Sequence, residues 1–366
     1  MLKFSGLDHY IINSLLSEEK KLVRKSVRQW VKQKILPIIE DYYQKSEFSK
    51  HLVAQMGKIG SLGANLPQEY GCAVTNNVLY SLTMQELERG DSGLRSFASV
   101  QDALVMYSIY IWGFKFQKRF WLSRLASGKK IGCFGLTEPD YGSNTGSIQT
   151  QAVDDGNAYV LNESKIRITN CSIADVAEVW AKLDSAVRGF LVEKETPGFI
   201  TPEIRNKHSL RTLVTSELVF QDCRIPKENI FPGTTGLKNV LVCFNEELEY
   251  AKSRIQFDKL FQLVQNKLVY IATEITNGQF LALQLGCLKD NGQMQYWQVS
   301  IAKRNSIYHA LEIAQMARDI LASNDISLEY IRHICNLDSV KPYEETHDIH
   351  TLIIGEQPTR FSAFNR

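Results

Sequence analysis

Several things are scarce or missing in this chain, and each closes off a class of function. No run of about 18 apolar residues occurs, so nothing here is built to span a bilayer as a helix, and no membrane partner is expected. Neither sign of charge dominates: 42 Lys and Arg stand against 40 Asp and Glu, well mixed, for a net charge of +2. Such a balance gives no basic field to hold a phosphate backbone, so nucleic acid is not an expected partner. The seven cysteines, at 72, 133, 171, 223, 243, 287 and 335, lie singly, and no C-x-x-C pair offers metal-ligand spacing or a disulfide framework. His347 and His350 share a helical face without a third ligand to join them, so no metal is expected. The opening residues MLKFSGLDHY lack the apolar core of a secretory signal and the Arg/Ser-rich character of a transit peptide. With the reduced cysteines, this leads to the expectation of a cytoplasmic protein.

What is present is an ordinary globular balance, 44% apolar and 22% charged, enough for two or three packed cores. From Ser17, a plausible N-cap, the residues Leu22, Val23, Val27, Trp30, Val31 and Ile35 recur at helical steps and predict a helix ending before Pro37. Further helical patterns run through 55–59, 79–88 and 116–125. Between about 145 and 235 the character changes to short runs of strand formers at 158–161, 176–182, 189–192 and 217–220. Asp155-Gly156 and Pro197-Gly198 supply turns between them. The helical period then returns at Leu263, Val264, Leu268, Ile271 and Ile275, and again over 296–321. The expected fold class is α+β and mostly helical: an N-terminal helical domain (1–131), a middle β-sheet domain (132–236) and a C-terminal helical bundle (237–366).

Three segments carry chemistry. Gly132 to Ser143 reads GCFGLTEPDYGS; a loop with Thr137, Ser143 and nearby glycines can bring backbone N–H groups and hydroxyls close to a flat polar ring, or can be a plain surface loop. Val340 to His350 reads VKPYEETHDIH, in which Glu344 and Glu345 are either solvated charges at a helix end or the seat of a base. Glu86 to Ser96 reads ELERGDSGLRS, where the Arg95 guanidinium suits a buried carboxylate because it donates two parallel hydrogen bonds and stays charged. Glu88 is either a polar group of that pocket or half of a surface ion pair.

These segments, with KIRITN at 165–170, RIQF at 254–257 and ARDIL at 317–321, resemble the acyl-CoA dehydrogenase family in its own order, from about residue 15 to Phe364. The resemblance is greatest to its glutaryl-CoA dehydrogenases. It implies an FAD cofactor and Glu344 as the catalytic base that removes the α-proton of an acyl-CoA thioester. It places Arg95, Ser96, Glu88, Ser143 and Tyr343 with the substrate. Phe134, Leu136, Thr137, Ser143, Arg167, Thr169, Arg254, Phe257, Gln262, Thr346 and Asp348 would hold the flavin. It further implies electron-transfer flavoprotein or a similar acceptor, and a homo-oligomer, tetramer or dimer.

Departures from the family pattern cluster where flavin and thioester would lie. Arg167 stands where the family has a tryptophan, exchanging a stacking face for a long charged group. Asp258, the 322–325 segment and Glu345 replace glycines, adding bulk and charge where backbone approaches a ligand closely. Between Asn239 and Phe244 roughly twenty residues are missing, enough for a helix of about 30 Å that would open the last domain. These changes leave a second expectation open: a chain that keeps the fold, binds flavin weakly or not at all, and serves as a binding or assembly protein.

Overall fold

The computed structural model describes residues 10–236, 239, 262–321, 328–343 and 346–361. The first helix, α1 (Glu18–Trp30), starts at Ser17, whose hydroxyl accepts the Lys20 N–H at 3.4 Å, while Glu18 and Glu19 sit in the first turn where the helix dipole favours them. A π-helical turn over Val31–Ile35 extends it, and Val27, Val31 and Ile35 are buried. Leu22, expected in the same stripe, is 65% exposed. It lies one residue from Val23, a rotation of about 100°, and that carries it off the buried face.

Four helices follow as α2 (Ile39–Lys45), α3 (Val53–Lys58), α4 (Asn77–Gly90) and α5 (Ser92–Ser99). A π-helical stretch (Val100–Met106) then leads into α6 (Tyr107–Trp112), and α7 (Lys115–Ala126) closes this helical part. Every residue from Asp91 to Met106 is buried, so the polar residues at helical spacing on α5, Ser92, Arg95, Ser96 and Ser99, face other parts of the protein and not solvent.

The middle of the chain forms a seven-stranded sheet: β1 (Gly132–Gly135), β2 (Gln151–Asp154), β3 (Ala158–Thr169), β4 (Val176–Leu183), β5 (Ala186–Glu193), β6 (Phe199–Ile200) and β7 (Thr215–Pro226). Strand β4 lies parallel to β1 and antiparallel to β5, while β3 is antiparallel to both β2 and β7. The Asp155-Gly156 turn joins β2 to β3 as expected, with Asp155 Oδ1 accepting the Ala158 N–H at 2.7 Å. At the other expected turn Gly198 has φ 79°, and a side chain there would collide with the Gln221 carbonyl.

Helices α8 (Gln262–Asp290), α9 (Tyr296–Leu321), α10 (Leu328–Val340) and α11 (His347–Thr359) make up the described C-terminal part. Ile271 and Ile275 pack on Ile313 of α9, whereas Leu263, expected in the same stripe, is 82% exposed. It lies one turn before Lys267, which pairs with Asp319 of α9 at 2.9 Å. None of the described helices is long and apolar enough to cross a membrane. The segment after Asn239, Arg254, Phe257, Asp258, 322–325, Glu344 and Glu345 lie outside the described residues.

The helical ends are tied to the sheet at Asp91, the N-cap of α5. Its carboxylate accepts the Gly93 N–H at 2.8 Å and the Thr212 hydroxyl from the loop before β7. It also takes Arg332 of α10 at 2.7 Å and Asn336 at 3.2 Å. Asn336 in turn accepts the Leu210 N–H at 2.9 Å. Gly93 is required here by close approach, because a β-carbon would strike Thr212. At the opposite end of α4, Asp290 at the close of α8 accepts the Asn77 N–H at 2.7 Å.

Candidate functional site

Arg95 projects from α5 into the seam between the N-terminal helices and the chain after α10. Its side chain is 3% exposed and that of Glu88, on α4, is 11% exposed, so their 3.0 Å contact is a buried ion pair and not the surface pair left open by the sequence. A terminal nitrogen of Arg95 donates to Ser99 Oγ at 3.3 Å, and the other donates to the Tyr343 hydroxyl. Arg95 and Tyr343 are 248 positions apart in sequence, and Tyr343 immediately precedes Glu344. Lys303 of α9 holds the same residue from its backbone side, its amine donating to the Tyr343 carbonyl at 2.9 Å. Ser96 is buried beside Arg95, and among the described residues its Oγ has no hydrogen-bond partner.

A second cluster builds the loop after β1. Glu138, in the quoted TEP segment, is buried and accepts the Gln149 N–H at 2.6 Å, the Thr150 N–H at 2.9 Å and the Thr150 hydroxyl at 2.6 Å. Lys165 of β3 completes the set, donating to Glu138 at 2.9 Å and to the Leu136 carbonyl at 3.1 Å. Burial pulls the Lys165 ammonium down to about 8 against the attraction of Glu138. Burial pushes the Glu138 carboxyl up, but Lys165 and the hydrogen bonds from Thr150 and Gln149 outweigh it and hold the group below its ordinary range. The pair is therefore ionised at neutral pH. Both ends of the 139–148 excursion that carries Ser143 are pinned on it, and the Ile166 N–H to Thr137 carbonyl bond of 2.9 Å lays the loop along β3.

The other expected flavin residues divide by what they expose. Thr137 and Thr169 are half-buried and Ser143 is exposed. Phe134 and Leu136 are buried in the core near Trp180, and the Leu136 carbonyl is taken by Lys165 at 3.1 Å. The register of β3 against β7 slips between Lys165 and Ile168; within that bulge Arg167 takes φ 59° and its side chain is exposed, not packed into the sheet. Thr346 caps α11, accepting the Ile349 N–H at 3.3 Å, and Asp348 is exposed in the first turn. Gln262 opens α8. The hydroxyls of Thr137, Ser143 and Thr169 are of the donor type that a flat polar ring takes, and Arg167 turns away from the sheet.

Glu138 paired with Lys165, Ser99 and Lys303 were not foreseen as site groups. The first two lie inside the GLTEP and KIRITN segments, but nothing in a sequence pairs two charges 27 positions apart.

Family models for acyl-CoA dehydrogenases match the chain in three parts: the N-terminal domain over residues 17–129, the middle domain over 133–223 and the C-terminal domain over 235–357. A crystal structure of glutaryl-CoA dehydrogenase from Mycobacterium smegmatis is similar, with TM-score 0.93 and 44% identity, over 98% of this chain and 100% of that one. Another from that organism, a glutaryl-CoA dehydrogenase in complex with FADH2, has TM-score 0.94 and 41% identity over 99% of this chain and 100% of that one. The mitochondrial short-chain specific acyl-CoA dehydrogenase of Homo sapiens is 30% identical, over 95% of this chain and 92% of its own.

Proposed function

Because the chain belongs to the acyl-CoA dehydrogenase family, we propose that it is an FAD-dependent dehydrogenase of short acyl-CoA thioesters, with glutaryl-CoA as the favoured substrate. The observation that carries the reading is the contact between Arg95 and Tyr343. It brings the group suited to a distal carboxylate against the residue that precedes the expected base in sequence, which supports a short acyl chain with a second carboxylate.

In this reading the Glu344 carboxylate removes the proton α to the thioester carbonyl. The β-hydrogen leaves with its electron pair, and the Cα–Cβ bond becomes double. FAD, when bound, supplies the acceptor for that hydride. Thr137, Ser143 and Thr169 would meet the ring, with Phe134 and Leu136 contributing backbone; Arg167, Arg254, Phe257, Gln262, Thr346 and Asp348 complete the proposed set. The chain's own part is to orient the thioester, exclude water and keep Glu344 basic. Arg95 and Ser96 take the far carboxylate, with Glu88, Ser143 and Tyr343 around the chain. With glutaryl-CoA the proposal extends to loss of carbon dioxide, giving crotonyl-CoA. Electrons would pass to electron-transfer flavoprotein or a similar acceptor. The exposed Leu263 and Val269 of α8 support a homo-oligomer, dimer or tetramer, in which a second copy covers them.

The test is spectroscopic. The purified protein should absorb between about 350 and 500 nm from its flavin. Anaerobic glutaryl-CoA should bleach that band, and butyryl-CoA should bleach it more slowly. A protein that stays colourless with added FAD would overturn the redox reading and favour a binding or assembly role on the same fold.

A further inference from the structure

We propose that the outer face of α7 is a membrane-contact surface: it seats the protein on a bilayer that carries anionic lipid, with phenylalanine rings entering between headgroups that its lysines and arginines neutralise. None of the residues assigned to acyl-CoA or flavin takes part.

Helix α7 (Lys115–Ala126) turns Gln117, Trp121, Leu122, Leu125 and Ala126 into the core. At about 100° per residue the opposite side falls on Phe116, Arg119, Phe120 and Ser123, all exposed. Phe116 is 52% exposed and Phe120 is 44% exposed. Phe114, at the N-cap, is 38% exposed and stacks on Phe116 with ring centroids 5.5 Å apart. Single apolar residues on a surface are ordinary, whereas rings gathered on one face mark a place of contact.

The charge around these rings has one sign. Between Asp102 and Glu138 the chain has no acidic residue and six basic ones. Lys115 and Arg119 lie on the exposed side, one turn apart. Arg124 lies over the Phe120 ring at 4.0 Å, and Lys118 lies over the Tyr110 ring at 5.6 Å, so cations and rings share the face. Neighbouring elements bring Glu69, beside Tyr70, and Glu228, whose backbone carbonyl takes Gln117 Nε2 at 2.9 Å. Asp175 is taken by Lys130 at 2.8 Å. The face remains positive.

A second copy docking through the same face would set like charges against each other. An acidic protein would meet the cations, but it would also have to bring an apolar pocket for the rings. An anionic bilayer supplies both partners in one layer, negative headgroups at the surface and hydrocarbon just beneath. Such a contact needs no spanning helix, so the absence of a long apolar run in the sequence does not bear on it.

The full-length protein would be floated with vesicles of phosphatidylcholine alone and of an equimolar mixture of phosphatidylcholine and phosphatidylglycerol. It should bind the mixture and not the neutral vesicles, and binding should fade as salt rises from about 0.05 M to about 0.5 M. Lys115→Glu with Arg119→Glu should weaken binding by at least about 25-fold, at about fivefold for each cation beside an anionic surface. Phe116→Ser with Phe120→Ser leaves the charge unchanged and should weaken binding about tenfold. Unchanged circular dichroism and melting would show that both variants fold. As a check that needs neither, Phe116→Trp should add fluorescence that shifts to the blue on the mixed vesicles alone. Failure to float with the mixture overturns the proposal. So does a phenylalanine variant that floats as well as the parent, because charge alone would then account for the binding. Capture of poly-glutamate without flotation would assign the face to an acidic protein and overturn the lipid reading.

Discussion

At Glu178 the middle strand of the β1–β4–β5 group buries a carboxyl completely, in register with Phe134 on β1. Trp180 Nε1–H donates to it at 2.8 Å. Burial raises this group well above its ordinary value, more than Ser108 and Trp180 lower it, so the folded chain holds a proton there. The sign follows from linkage: above the ordinary value of 4.5 the unfolded chain releases that proton and the folded chain keeps it, so stability falls as pH rises. Glu178→Gln keeps the shape and the Trp180 bond without the charge. It should be more stable than the parent in urea at about pH 8, with the advantage shrinking towards about pH 5. A parent that gains on the variant as pH rises would contradict this. Single residues were unevenly legible beforehand. Arg95 stood out because its segment matches a carboxylate-binding pattern, whereas the same segment left Glu88 open between pocket and surface. Glu178 lies in a run of strand formers, where a lone charge reads as the exposed side of a strand.

Elements were legible where they alternate between core and solvent. The stripe of α1 is of that kind, whereas β4, buried at all but one of its positions, was legible from its run of strand formers. The stretch from Asp91 to Met106 is buried on every side, so the helical spacing of Ser92, Arg95, Ser96 and Ser99 marks no solvent face, and β1 is only four residues long. The loop joining β1 to β2 was readable as a ligand loop from its residues, but the means of holding it was not. That means is the Lys165–Glu138 pair, whose side chains are 0% and 5% exposed. Removing one partner leaves the other charged and buried, so Lys165→Met should cost about 3–5 kcal/mol in urea unfolding. Glu138→Gln with Lys165→Met should cost less than the sum of the single changes, because the pair is one interaction. Strict additivity would show that the loop is held by something else. The Glu138 share of stability is fully present above its ordinary 4.5 and is lost as pH falls through its lower folded value, and Glu138→Gln should flatten that acid limb.

On the scale of the whole molecule, helix–sheet–helix order was visible in how hydrophobic period changes along the chain, and the family models match the same order. What no linear pattern shows is the joint at Asp91, where the N-terminal helices, the loop before β7 and α10 meet on one buried carboxylate. This joint holds α10 against α5, and α10 leads directly into Tyr343. Asp91→Ala would leave the Arg332 guanidinium buried without its partner, at a cost of about 3–5 kcal/mol. Thermal unfolding should then split, with the C-terminal helices released first; a single unchanged transition would show that the joint is incidental. The proposed chemistry rests on Glu344, which follows Tyr343 in sequence. The most direct measurement is exchange of the α-hydrogen of bound butyryl-CoA in deuterated water, comparing the parent with Glu344→Gln at equal flavin content. The parent should exchange and the variant should not, while equal exchange in both would remove Glu344 as the base.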